Sequence, residues 1–243
     1  KTRQTWIKYQ KHLLILISGT TIAQLISIGI SPILSRIYSL EEFGMFASFS
    51  ALVGLVSLLV GARYEGAILL PKKDDDAANL LVLALFFNVV ISAFFLVVVY
   101  IYSFFTKGND EIRFLEWYYL APIFTMFTGF AQSINNWFNR RKNYTKIVHY
   151  RVFNSTLNSG ASLTFDPLEL NGLILSLILS AVFSISIFLN KLNKDFHDFK
   201  SSVSVGRMKE LAIEYKRFPL TNSIQALSDA LQIYGIVYFI DYF

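Results

Sequence analysis

Residues 77–106 read AANLLVLALFFNVVISAFFLVVVYIYSFFT, 30 residues without a single charged side chain. An α-helix needs roughly 20 predominantly apolar residues to cross ~30 Å of hydrocarbon. This stretch therefore predicts a transmembrane helix long enough to tilt or to extend beyond the bilayer. The same test picks out residues 13–35 and 43–62 before it, and 117–139, a more polar 147–165, and 170–190 after it. A seventh apolar stretch, 219–240, is interrupted by Asp229. The fold class expected is all-α, a polytopic membrane protein.

Composition agrees with that class. Of the 243 residues, 54% are hydrophobic and only 16% charged, against roughly 25% charged in ordinary soluble domains. The mean hydropathy is +0.47. A soluble domain of this length buries one core but cannot hide several apolar runs of about 20 residues. The chain has no cysteine, which excludes disulfides and thiolate metal sites. Its net charge of +5 raises nucleic acid as a partner, but the distribution of that charge reads as membrane topology. The basic start and apolar run of residues 1–35 resemble a signal peptide. The run is too long for one, lacks a small-residue cleavage site and leads into further spans, so an uncleaved first helix is expected.

Orientation follows from Lys and Arg. One set of flanks holds nineteen of the 22 basic residues, among them Lys8, Lys11, Lys72, Lys73, Arg140, Arg141, Lys191 and Arg217. The alternate loops hold only Arg36, Lys107 and Arg113. The N-terminus is thereby expected on the cytoplasmic side. Short loops predict antiparallel neighbouring helices. Between spans, residues 191–218 carry Val205, Met208, Leu211, Ala212 and Tyr215 at helical spacing, with Arg207, Lys209, Lys216 and Arg217 off that face. That is the pattern of an amphipathic helix at the membrane surface. The sequence starts without methionine and stops directly after an apolar run, so it is expected to be a piece of a longer protein.

Polar residues inside the spans carry the functional information, because they are costly there and face protein or a water-filled cavity. Thr20, Gln24, Ser27, Ser31 and Ser35 form one helical stripe. Thr125, Thr128, Gln132, Asn135 and Asn139 form a second, and Arg151, Asn154, Asn158 and Ser162 a third. Such stripes line a shared hydrophilic cavity or glue helices together, and both readings stay open. Arg63 and Glu65 follow the second span, where the helix is expected to continue through them. Residues two apart cannot share a helix face, so each needs another partner or a ligand. Arg63 and Arg151 suit phosphate, since the guanidinium fork donates two parallel hydrogen bonds. Glu65 and Asp229 are the ion-coupling candidates. Weaker signals have plain structural readings: Ser39 with Glu42 is a capping box, Asp74-Asp75-Asp76 favours a helix start, and Pro32 and Pro122 are expected kinks. The three histidines are far apart, and no phosphate loop, nucleophile motif or nucleic-acid module is present. No cofactor and no enzymatic activity are expected.

Several segments together resemble the Wzx-type polysaccharide flippases of the multidrug/oligosaccharidyl-lipid/polysaccharide exporter superfamily. They are residues 15–40 (ILISGTTIAQLISIGISPILSRIYSL), Glu41-Glu42-Phe43-Gly44, Arg63-Tyr64-Glu65 leading to Leu69-Leu70-Pro71-Lys72, and Trp137-Phe138-Asn139-Arg140-Arg141 with Tyr144. The resemblance implies a MATE-like fold of two six-helix lobes around a cleft. On that pattern residues 1–190 would be the N-terminal lobe, 191–218 the inter-lobe linker and 219–243 the first helix of a second lobe. It further implies transport of undecaprenyl-diphosphate-linked oligosaccharide for O-antigen or capsule synthesis, by alternating access in the inner membrane. A polymerase and glycosyltransferases would be its functional neighbours. Arg63 and Arg151 are the positions carried into the cationic cavity, with Gln24, Gln132, Asn135, Asn154 and Asn158 as further lining. The turn Asp166-Pro167-Leu168-Glu169 is more acidic than that pattern. Competing readings are a drug or metabolite antiporter of the same fold, a polytopic glycosyltransferase or polymerase, which the short external loops disfavour, and a structural subunit.

Overall fold

The computed structural model describes residues 2–106, 115–165 and 171–222, together with Gln225 and Ser228. Among these residues every regular element is helical. Helix α1 (Thr2–Ile37) is followed by α2 (Leu40–Ser57), a 3-10 turn (Val60–Arg63) and the short α3 (Tyr64–Ala67). Then come α4 (Asp74–Thr106), α5 (Leu115–Tyr118), α6 (Ala121–Arg140) and α7 (Tyr144–Thr164). The described chain continues through α8 (Gly172–Phe196), a 3-10 turn (His197–Ser202), α9 (Val205–Glu214) and a π turn (Phe218–Asn222).

Four described stretches are helical, long and apolar enough to cross a bilayer: Leu14–Ile37, Leu40–Ser57, Asp74–Phe105 and Gly172–Ser202. The third has the highest mean hydropathy, 2.9, and contains the run 77–106. Its helix opens with Asp74, Asp75 and Asp76 in the first turn, where carboxylates offset the unpaired N–H groups of a helix start. The break between α1 and α2 is closed by the expected capping box. The Glu42 N–H donates to Ser39 Oγ at 3.2 Å, and the Ser39 N–H donates to the Glu42 carboxylate at 2.8 Å.

Some expectations change. The helix does not run through Arg63 and Glu65: α2 ends at Ser57, and the backbone turns left-handed at Gly61, Ala62 and Arg63. Pro122 falls in the first turn of α6, where its missing N–H has no intrahelical role and no kink results; Pro32 does lie inside α1. The run 117–139 is divided between α5 and α6. Helices α6 and α7 have 20 and 21 residues but are more polar than the four apolar ones. Helix α8 continues to Phe196, into what reads as linker. Residues 166–169 lie outside the described residues, as does the seventh span beyond Asn222 apart from Gln225 and Ser228.

The chain forms two compact units, residues 1–46 with 137–195, and residues 47–136 with 196–243. In the first, α1 lies along α7 and α7 runs antiparallel to α8. The register is read from Lys146 beside Asp195, Tyr150 stacked on Phe188 at 4.5 Å, and Ser176 donating to Asn158. Asp195 ends this pair as a clasp, accepting from Trp137 Nε1 at 3.2 Å and Lys146 Nζ at 3.1 Å, with Arg141 Nε at 3.9 Å.

In the second unit α4 is the central element. Asn79 on α4 donates to the Ser202 carbonyl and accepts from the Ser204 N–H, both at 3.0 Å. Arg207 Nε meets Asp76 at 2.7 Å, and the Tyr64 hydroxyl donates to the Ala212 carbonyl at 3.0 Å. These contacts hold α9 against the start of α4. Of its expected apolar face, Leu211 is buried, Met208, Ala212 and Tyr215 are half-buried, and Val205 is exposed.

Candidate functional site

The most unusual backbone in the described chain lies in the second unit, between α2 and α3. Gly61 (φ 73°), Ala62 (φ 48°) and Arg63 (φ 61°) are successively left-handed. For non-glycine residues that conformation brings Cβ against the carbonyl, at about 1–2 kcal/mol each. Such strain persists where surrounding packing dictates it, and it concentrates at functional positions. Gly61 has a second reason to be glycine: a Cβ there would stand 2.5 Å from Glu65 Oε2.

That carboxylate is 6% exposed. Among the described residues its Oε2 has no hydrogen-bond partner, and neither does the buried Arg63 Nε. Burial pushes the Glu65 carboxyl up to about 6, against the opposing pull of its own main-chain N–H and then of the Arg63 charge. The Asn136 amide on α6 donates to the Glu65 main-chain carbonyl at 3.0 Å and fixes the turn from that side. On α4, Asn88 donates to the Met126 carbonyl at 2.9 Å, while its Oδ1 is buried without a partner. Gly129 on α6 has no room for a side chain, since a Cβ would strike Val60 and stand 2.5 Å from Asn88 Oδ1. Tyr64 stacks on Phe87 at 5.6 Å. The product is a strained turn with a buried acid and a half-buried guanidinium, each keeping unspent hydrogen-bonding capacity.

The other expected site residues divide between the units. Arg151 in the first unit donates through Nη1 to Thr20 Oγ1 at 2.7 Å, a neutral partner, and no acid among the described residues pairs with its charge. Next along the same seam, the Ser27 and Ser155 hydroxyls meet at 3.0 Å and Ser155 donates to the Ala23 carbonyl at 2.6 Å. The Tyr38 hydroxyl donates to the Ser162 carbonyl at 2.6 Å. Thr20 and Ser27 in the first stripe therefore act as interhelical glue toward α7. Gln24 is exposed. Asn158 accepts from Ser176 at 3.2 Å, and Asn154 keeps a buried, unpartnered Oδ1. In the second unit Gln132 is exposed and Asn135 Oδ1 is buried without a partner. Asp229 lies outside the described residues.

Sequence reasoning missed Asn88 and Asn136. Asn88 had a readable signal, an amide in the middle of an uncharged apolar run. Asn136 is masked by Asn135 beside it, which continues the stripe while Asn136 makes the contact.

No protein-family model, curated protein sequence or solved structure matches this chain. The class that fold and site define is, among the described residues, an all-helical chain with four helices long and apolar enough to cross a bilayer. In it a buried acid and an arginine share one strained turn.

Proposed function

We propose that this chain belongs to a flippase-type transporter of the bacterial cytoplasmic membrane. Its cargo is an undecaprenyl-diphosphate-linked oligosaccharide destined for surface polysaccharide. The observation that carries the reading is Arg63: a guanidinium with a buried, unpartnered Nε, held on a left-handed turn within the Arg63-Tyr64-Glu65 segment of the flippase-like pattern. A planar fork fits a diphosphate better than an ammonium does. In the other unit Arg151, which among the described residues donates to the neutral Thr20 hydroxyl and meets no acid, is a separate cation candidate.

On this reading residues 1–190 correspond to the N-terminal lobe of a two-lobe transporter. The lower hydropathy of α6 and of α7 suits helices that each turn a face to water rather than lipid. The basic flanks put the N-terminus in the cytoplasm. Glu65 carries the coupling proton, and Arg63 is the charged group that acts on it. The groups presented to its turn by α4 and α6, Ala84, Asn88, Gly129 and Asn136, are neutral. An antiporter of drugs or metabolites would use the same acid, so the cargo discriminates the two.

Deleting the gene in its own bacterium is expected to remove surface polysaccharide and leave lipid-linked precursor on the inner face. Restoring it as Arg63→Ala should not rescue, whereas Glu65→Gln should give export insensitive to the proton gradient. Normal surface polysaccharide in the deletion strain would overturn the flippase reading.

A further inference from the structure

Helices α7 and α8 enclose a crevice of about 370 Å³ in the first unit, lined by His149, Val152, Phe153, Ser184, Ile187 and Lys191 among others. Its walls are almost wholly apolar, and Phe153 and Ile187 are each 41% exposed along it. Its two ends are polar. At one end stands Lys191, which has no acidic partner among the described residues. Its neighbour Lys146 differs, having its ammonium engaged by Asp195 at 3.1 Å. The unshared charge therefore belongs to Lys191, with His149 exposed beside it. At the other end is Ser184, 1% exposed, whose hydroxyl is buried without a hydrogen-bond partner among the described residues. Ser184 and Lys191 are two helical turns apart, about 10 Å along the axis.

A crevice with this order of groups matches an anionic glycerophospholipid. The phosphate pairs with the ammonium, an ester carbonyl accepts from the buried hydroxyl, and an acyl chain lies against Val152, Phe153 and Ile187. A buried hydroxyl left unpaired is destabilising, and basic pockets between membrane helices are known to select anionic headgroups. Lys191 and His149 sit at the same end of the helix pair as Lys146 and Lys194, which places the headgroup at the basic membrane face. We propose that the α7/α8 crevice is a binding site for an anionic phospholipid of the surrounding bilayer, with Lys191 as its headgroup ligand. The site is independent of whether the protein flips a lipid-linked oligosaccharide.

Native mass spectrometry of the purified chain, supplied with phosphatidylglycerol or phosphatidylcholine, tests this. Phosphatidylglycerol adducts should survive activation that strips phosphatidylcholine. Lys191→Ala should reduce their retention about fivefold, the contribution of one lysine near an anionic surface. Lys191→Arg should retain the adduct, and so should Lys194→Ala, which removes an exposed lysine from the same helix end. Ile187→Trp should abolish retention by filling the crevice with no change in charge. Three results would each overturn the proposal: equal stripping of the two lipids, equal retention by the Lys191→Ala and Lys194→Ala proteins, or displacement of phosphatidylglycerol by inorganic phosphate alone. If Lys191→Ala does not fold, the Ile187→Trp and Lys191→Arg pair decides by itself.

Discussion

Along the α1/α7 seam, Arg151 donates to Thr20, Ser155 meets both Ser27 and the Ala23 carbonyl, and Tyr38 reaches the Ser162 carbonyl. At the 61–65 turn, Arg63 Nε, Glu65 Oε2 and the neighbouring Asn88 Oδ1 are buried with no hydrogen-bond partner among the described residues. Apart from the Arg151 charge, the seam's groups are neutral; they exchange water for one another and tie two helices together, each for a modest return. The turn keeps groups whose desolvation is not repaid locally, and such groups are the usual mark of a ligand, a proton or a moving part. Polarity inside an apolar bundle thus has two meanings, told apart by whether the hydrogen bonds close.

The largest effect should come from crowding the turn. Gly129→Leu drives a side chain into Val60 and Asn88 and should cost ~3 kcal/mol, or roughly 6–12 °C in Tm, read by fluorescence-detected thermal unfolding. The same measurement on Gly160→Leu, where no atom lies within 4 Å of the added Cβ, should give little change. Equal losses would mean that the turn is no more tightly packed than an open helix face.

Glu65→Gln should act in the opposite direction, and only in part of the pH range. The carboxyl ionises near 4.5 in the unfolded chain and at about 6 in the fold, so the folded state holds the proton more tightly. The resulting stabilisation is complete below the unfolded value and is lost as pH rises through the folded one. Glutamine does not titrate, so the variant should gain on the order of 2 kcal/mol over the wild type above about pH 7 and nothing at about pH 4. A pH-independent difference would show that folding does not shift the Glu65 carboxyl, and the opposite trend, with the variant faring better toward low pH, would show that it is paired with a cation.

How much of this the sequence disclosed depends on what kind of information each feature needs. The run 77–106 names its own helix, and Ser39 with Glu42 names its own cap, because both are local matters of hydropathy and spacing. The break after Ser57 is different. It has a single glycine inside an apolar run, and nothing local tells that Ala62 and Arg63 follow Gly61 into the left-handed region. The tight approach of α4 and α6 around Val60 accompanies that turn, and it involves residues far along the chain. The stripes containing Thr20 and Arg151 were visible, but not that the two would meet each other. Asp195, at the end of a helix expected to stop at residue 190, gave no sign that it would gather two donors and a third cation.

Smaller effects bear on the satisfied side of the contrast. Asp195→Asn keeps an acceptor for Trp137 but removes the charge facing Lys146 and Arg141, and should cost about 1 kcal/mol in this partly exposed setting. That loss should shrink at high salt, because screening weakens the pair in the wild type. Ser155→Ala removes both of its seam bonds and should lower stability by only about 0.6 kcal/mol, the average for such contacts in a membrane bundle. A loss of several kcal/mol there would mean that the seam holds more of the fold than its hydrogen bonds account for.

Ala62 offers a view of the turn from the side of mutation. Its left-handed backbone burdens any residue with a Cβ by about 1 kcal/mol or more, and glycine would adopt the same angles freely. Every alanine codon is one base change from a glycine codon, so relief of that strain is among the most accessible variants the gene can sample. A population in which alanine persists at this position would be one in which a looser turn is selected against, and sequencing close relatives would read that out directly.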